Sequence, residues 1–351
     1  MTKPDSILPI EDAKFPYFYG VDVGGTNIKI GLIDNEGRTL AFESIPTQES
    51  DGPEAAVKRI AVTCKNLALT VGARPQDIPR AGLGTPGPMC LNRGLMLNPT
   101  NLPNWHNFKI QESLSNALGI PVSFANDANA ATFGEFWVGT AKTYDSLALF
   151  TLGTGVGGGL IVNGKLINGV NSFGSECGHF VVDSRPDARL CVWGGGRGQL
   201  EAYASASAVA ARTSERLLGG TKSLLSSVID DGKSLSAKHV YEAALEGDQL
   251  ALEIIDETAF YLAIGVVGAV HAIDPGIVVL GGAMNFGGHD SEIGQRFLRH
   301  IREEFVSRTF PNVAEGTTIE FASLGGAAGY IGAAGIAHQD YHSQFLAIEA
   351  Q

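Results

Sequence analysis

Asp127 lies in Phe124-Ala125-Asn126-Asp127-Ala128-Asn129-Ala130, where a short apolar strand hands over to a helix. A carboxylate at a helix start is held by the helix dipole and partly desolvated, which suits a base that takes a hydroxyl proton in phosphoryl transfer. N-capping by Asn126 or Asp127 is the plainer alternative, and the two roles are compatible. Two glycine-rich turns at strand ends carry small hydroxyl residues: Asp22-Val23-Gly24-Gly25-Thr26-Asn27 and Thr151-Leu152-Gly153-Thr154-Gly155. Without side chains in the way, backbone N–H groups there can point at phosphate oxygens, and threonine adds a donor. Either turn alone is as readily an ordinary hairpin. Together, one in each expected lobe, they describe a phosphate clamp across a cleft. Asp22, ending a buried strand beside the first turn, could hold Mg²⁺ directly or through water. At a third strand end, Gly281 and Gly282 leave flat space for a nucleobase.

A second constellation is Gly174-Ser175-Glu176-Cys177-Gly178-His179 with Glu201 at a later helix start. Carboxylate and imidazole groups recognise polyols by accepting from and donating to neighbouring hydroxyls. Asn101, in NPTNLPNW, and the rigid GTPGP turn could add contacts. Taken alone, His179 is as well explained as a satisfied polar residue. Two glycine patterns mislead. Gly153–Gly158 satisfies GxGxxG, but a dinucleotide site needs a helix next, and GLIVNGKLING reads as a hairpin. Gly159–Lys165 fits GxxxxGK, but Leu166 stands where a P-loop needs Ser or Thr.

The elements that must position these groups follow from periodicity. Residues 1 to 16 read as a loose lead-in. Three antiparallel strands follow, up to Val23, over Ile28–Ile33 and after the Asn35-Glu36-Gly37 turn. Apolar spacing predicts helices over Pro53–Val71, Lys109–Leu118 (stopped by Gly119) and Asn126–Trp137, with a break at Leu83–Pro88 and a strand at Val122–Phe124. A second set begins with strands over Asp145–Thr151 and Leu160–Val162 and a hairpin turn at Asn163-Gly164. Helices are expected over Leu200–Leu218, Lys238–Glu246, Gln249–His271 and Glu292–Phe305, and strands over Ile277–Leu280 and Thr318–Ala322, ahead of a Gly/Ala-rich segment. Strands followed by alternating helices, twice over, imply two α/β lobes: 1–137, joined by 327–351, and a larger lobe, 138–326.

Composition narrows the function classes. The 351 residues are 44% hydrophobic and 18% charged, enough for a sizeable core. The net charge of −12 makes nucleic acid or an anionic membrane a poor partner. The opening MTKPDSILPI lacks the order of a secretion signal, and no apolar run is long enough for a membrane span. Four well-separated cysteines without a CxxC pair read as reduced thiols, so a cytoplasmic protein is expected.

DVGGTNIKIGLID, GLGTPGP, NLPNW, FANDANAATFGE, LGTGVGGGLIVNGK, Glu176–His179, LEAYAS and VVLGG follow one another in the order seen in ROK proteins (repressor, open reading frame, kinase). From about residue 17 to about 337 the chain resembles the sugar kinases of that family. The resemblance implies a two-lobed, actin-like ATPase (ribonuclease H-like) α/β fold and ATP-dependent phosphorylation of a hexose 6-hydroxyl, with glucose foremost. N-acetylmannosamine, N-acetylglucosamine, fructose, mannose and allose are the alternatives. It makes Asp127 the catalytic base, lines the sugar site with Asn101, Asn126, Asp127, Glu176, His179 and Glu201, and turns Gly24, Gly25, Thr26, Thr154 and Gly155 toward the phosphates. A homodimer or homotetramer is implied.

One departure stands out. Family members carry zinc on the ExGH histidine and a CxCGxxGC run, whereas here only His179 and Cys191 remain; Gln199 replaces the last cysteine, and Trp193 or Gly194 the middle one. Two ligands do not close a tetrahedral site, so structural zinc is expected to be absent, with Trp193 packing as one way to order the loop. A sugar-sensing ROK regulator is the less favoured function: only about sixteen residues precede the first strand, too few for a DNA-binding domain.

Overall fold

The computed structural model describes residues 7–191, 196–230 and 232–349. In chain order the elements are β1 (Phe18–Val23), β2 (Asn27–Ile33), β3 (Thr39–Pro46), α1 (Pro53–Val71), β4 (Arg80–Thr85), β5 (Met89–Cys90), β6 (Leu95–Met96), α2 (Ile110–Leu118), β7 (Val122–Asn126) and α3 (Asp127–Trp137). There follow β8 (Leu147–Leu152), β9 (Val156–Val162), β10 (Lys165–Leu166), α4 (Glu201–Ala204), α5 (Ala206–Leu218), α6 (Ser226–Asp230), α7 (Ala237–Leu245) and α8 (Gln249–Ile273). The chain closes with β11 (Ile277–Gly281), α9 (Glu292–Arg308), α10 (Pro311–Gly316), β12 (Thr318–Phe321) and α11 (Ala328–Glu349). The described residues form two compact units, one within Met1–Thr143, Leu166–Ser175 and Gly326–Gln351, the other within Tyr144–Lys165 and Glu176–Gly325.

The first unit is built on a sheet of order β3-β2-β1-β4-β7. Strand β1 pairs antiparallel with β2 and parallel with β4, and β7 is parallel to β4, so β1, β4 and β7 end on one edge. Residues on both faces of β1 are covered, which is why FYGVDV is almost continuously apolar. The β2–β3 turn is made by Asp34, whose carboxylate accepts from the Glu36 and Arg38 N–H groups. Helix α1 starts at Pro53 and ends at Gly72, whose left-handed backbone (φ 76°) returns its N–H to the last turn. It buries Ala56, Val57, Ile60, Ala61, Cys64, Leu67 and Ala68, the 3–4 spacing of one helix face.

The second unit repeats the pattern with the order β10-β9-β8-β11-β12. Here β8 is antiparallel to β9 and parallel to β11, which is parallel to β12. Its core lies around α8, capped by Asp248, with Ile254, Leu262 and Val266 fully buried against Phe297 and Phe305 of α9.

Three expectations change, and the Gly/Ala-rich segment takes a definite form. Residues 7–16 are not a loose lead-in: Leu8 N–H donates to Thr39 O and Lys14 N–H to the Asp34 carboxylate. Strand β4 continues through Leu83-Gly84-Thr85, because β1 and β7 pair with it on both sides. The helix expected over Leu200–Leu218 breaks at Ser205, which is extended (φ −82°, ψ 161°) and caps α5. The Gly/Ala-rich segment is the long helix α11. Glycine lowers helix propensity, yet here it lets backbones touch. A Cβ at Gly332 of α11 would lie 1.7 Å from Ala130 O of α3, and one at Gly82 of β4 would lie 1.7 Å from Ala333 O of α11.

Candidate active site

In the first unit the site residues gather where β1, β4 and β7 end. Asp22 stands opposite Lys29 on one side and Gly84 on the other. Burial pushes its carboxyl up from the usual range, and the Lys29 ammonium pulls it back. The Gly24-Gly25-Thr26 turn is braced by buried Thr47, whose hydroxyl donates to Gly24 O (2.7 Å) and whose N–H donates to Thr26 O (2.9 Å). In a trans peptide the N–H points opposite its C=O, so the Gly25 N–H faces away from that brace. Asn101 packs on the turn: a Cβ added to Gly25 would sit 3.3 Å from the Asn101 Cβ. Asn126 is the cap of α3, accepting from Ala128 N–H (2.9 Å) and Asn129 N–H (3.4 Å), and Asp127 Oδ1 accepts from Ala128 N–H at 2.8 Å. The GTPGP turn abuts this cap, with a Cβ at Gly87 falling 3.4 Å from Asn126 Nδ2.

In the second unit Val156 ties the remaining groups together. Its N–H donates to Glu201 Oε2 at 2.9 Å, and its carbonyl lies where a Cβ on Gly178 would have to sit (1.9 Å). The Glu176–His179 turn, Glu201 and the Gly153-Thr154-Gly155 turn therefore share one corner. Gly153 O accepts from Ala206 N–H and Thr154 O from Ser207 Oγ, both at 2.8 Å, so the break at Ser205 aims the start of α5 at this turn. With those carbonyls turned back, the Thr154 and Gly155 N–H groups face the other way, as an anion site requires. Gly282 lies against Leu152 at the end of β8: its φ is 93° and a Cβ would meet Leu152 O at 2.2 Å. Burial pushes the Glu176 carboxyl up; His179 opposes the shift and the charge of Glu201 adds to it.

Sequence reasoning passed over Thr47, Lys29 and the partners of Cys191. Thr47 bears on the first turn only through two long-range bonds. Lys29 was legible, since counting outward from the Gly24–Asn27 turn sets Asp22 against it. Cys191 is buried and its thiol donates to Glu201 Oε1 at 3.1 Å, while His179 Nδ1 is bonded to Gln199 Oε1 at 3.0 Å. Among the described residues no group of three or more His, Cys, Asp or Glu is placed to hold a metal ion. Both remaining candidate ligands are engaged within the chain, so the donor set does not fit a tetrahedral zinc. Trp193 and Gly194 lie outside the described residues.

The pattern is shared with known proteins. A glucokinase from Thermotoga maritima is 34% identical over 317 residues, covering 90% of this chain and 96% of that protein. An ROK hexokinase structure from Thermus thermophilus superposes with a TM-score of 0.78 at 29% identity, covering 93% of this chain and 99% of the other. An ROK glucokinase from Streptomyces griseus, in complex with glucose and AMPPNP, superposes with a TM-score of 0.71 at 29% identity over 92% and 99% of the two chains. These kinases have the two-lobed, actin-like ATPase fold, which this chain shares. The ROK family model matches residues 18–340, nearly the whole sequence, and the chain belongs to the ROK family.

Proposed function

We propose that the protein is an ATP-dependent kinase that transfers a phosphoryl group to the 6-hydroxyl of a hexose, with glucose the first candidate. One observation carries this beyond family membership: Val156 joins a phosphate-type glycine turn to a carboxylate–imidazole–carboxylate set suited to a polyol. The glucokinase relatives support glucose. Asn101, Asn126, Glu176, His179 and Glu201 are the sugar-binding residues, with Gly24, Gly25, Thr26, Thr154 and Gly155 on the phosphates and Gly281 and Gly282 beside the base.

Asp127 takes the proton of the 6-hydroxyl. The freed electron pair forms the new bond to the γ-phosphorus, the bond from that phosphorus to the bridging oxygen breaks, and ADP leaves. N–H groups of both glycine turns oppose the charge on the phosphate oxygens. A single half-buried carboxylate at a strand end fits Mg²⁺, which is commonly held by one or two carboxylates together with substrate phosphates, so Asp22 is the residue to hold it. That ion supplies charge neutralisation at the phosphates. The same proposal makes the protein cytoplasmic and a homodimer or homotetramer, without nucleic-acid or membrane partners. ADP release measured with MgATP across glucose, mannose, fructose, allose and the two N-acetylhexosamines tests it. Turnover greatest with glucose is expected, and no release with any of the six would overturn the assignment.

A further inference from the structure

Between His179 and Glu201, the described residues 180–191 and 196–200 are tied to one another. Val181 bridges to Gln199 and Leu190 to Arg197, and the N–H groups of Val182 and Asp183 both donate to Gly198 O (2.8 and 3.1 Å). The buried Asp183 carboxylate accepts from the Arg185 guanidinium at 2.9 and 2.7 Å and from the Tyr203 hydroxyl at 2.6 Å, and these bonds hold it far below the usual carboxylate range. The same hydroxyl accepts from Arg189 N–H (3.0 Å), and the Arg189 side chain pairs with both oxygens of Glu215 (2.6 and 2.8 Å). Gln199 rides on this clasp. Gly196 lies flat on its amide, since a Cβ there would fall 2.3 Å from Gln199 Nε2. An amide oxygen can only accept, so in the bond to Gln199 Oε1 it is His179 Nδ1 that carries the hydrogen. Nε2 then presents a bare lone pair 4.0 Å from Glu176 Oε2, two acceptors side by side.

We propose that Gln199 is a positioning residue that fixes His179 as the Nδ1–H tautomer, and that the clasp centred on Asp183 and Tyr203 holds residues 180–191 and 196–200 together without a metal. With Nε2 unprotonated, His179 accepts from one sugar hydroxyl and Glu176 from its neighbour. The functional arm rests on the hexose kinase assignment; the structural arm does not.

The test uses the full chain with ¹⁵N-labelled histidine, in wild type, Gln199→Leu and Gln199→Glu. Imidazole ¹⁵N spectra are expected to show His179 as Nδ1–H in wild type and in Gln199→Glu, which keeps an acceptor, and as mainly Nε2–H in Gln199→Leu. Losing that one hydrogen bond should raise the hexose KM about tenfold in Gln199→Leu, with the MgATP KM unchanged and recovery in Gln199→Glu. A wild-type Nε2–H tautomer, or an unaltered hexose KM in Gln199→Leu, would overturn the role of Gln199. If the wild type phosphorylates no hexose, the kinase assignment fails while the spectra still decide the tautomer. Protein purified in the presence of zinc should contain none after gel filtration and keep its melting temperature with a chelator. One tightly held zinc per chain would overturn the metal-free clasp.

Discussion

Lys29 faces Asp22 across the β1–β2 ladder, and its ammonium also donates to Gly326 O at 2.7 Å, just before α11. One cation thus offsets the half-buried Asp22 carboxylate and ties the β hairpin to the entry of the last helix. Replacing it with methionine keeps the aliphatic stem and removes the charge. Lys29→Met removes the charge that favours the ionised Asp22 carboxylate, so the acid limb of turnover should move to higher pH, whereas Lys29→Arg should stay near wild type. Steady-state rates measured across pH at saturating MgATP check this.

Asp127→Asn retains an oxygen that accepts from Ala128 N–H, so the start of α3 survives. It cannot take a proton. Turnover should fall by roughly 10²- to 10⁴-fold, with the hexose KM little changed. Unaltered turnover would remove Asp127 from the chemistry.

Gly332→Ala drives a methyl group into Ala130 O, with no side chain to yield. A loss of about 3 kcal/mol is expected, since two backbones must separate. Gly316→Ala is the control: nothing lies within 4 Å of its Cβ, and urea unfolding should move by under about 0.5 kcal/mol.

His338 of α11 packs among Phe18, Trp137 and His342, with ring centroids at 5.4, 4.9 and 4.4 Å. Burial, and then the neighbouring His342, lower its pKa from 6.5 to about 4. Between those values the unfolded chain binds a proton that the folded chain refuses. Stability therefore falls as pH drops from 6.5 toward 4, with no further loss from this group below that. His338→Phe should flatten this part of the profile relative to wild type, as measured by denaturant midpoints across pH 4 to 7.

The amino-acid pattern by itself determined what local physics controls. The bounds of α1 and α2 follow from apolar spacing, Pro53 and the glycines at 72 and 119, whose left-handed backbone needs no distant partner. The failure of Gly153–Gly158 as a dinucleotide loop was equally legible, because its glycines continue into a hairpin, and the structure makes them β8–β9. Asp127 at the start of α3 and Asp22 beside its turn could be read from strand, cap and turn chemistry alone. Tertiary structure decided the rest. Propensity counts against a glycine-rich α11, and only its contact with β1, β4 and α3 makes those glycines useful. Ser205 breaks a run that periodicity joins, because Ala206 N–H is taken by Gly153 O, more than fifty residues earlier. Gln199 has no local reason to matter; folding brings its amide to His179. Each of these depends on a partner distant in sequence, a contact that exists only once the chain has closed.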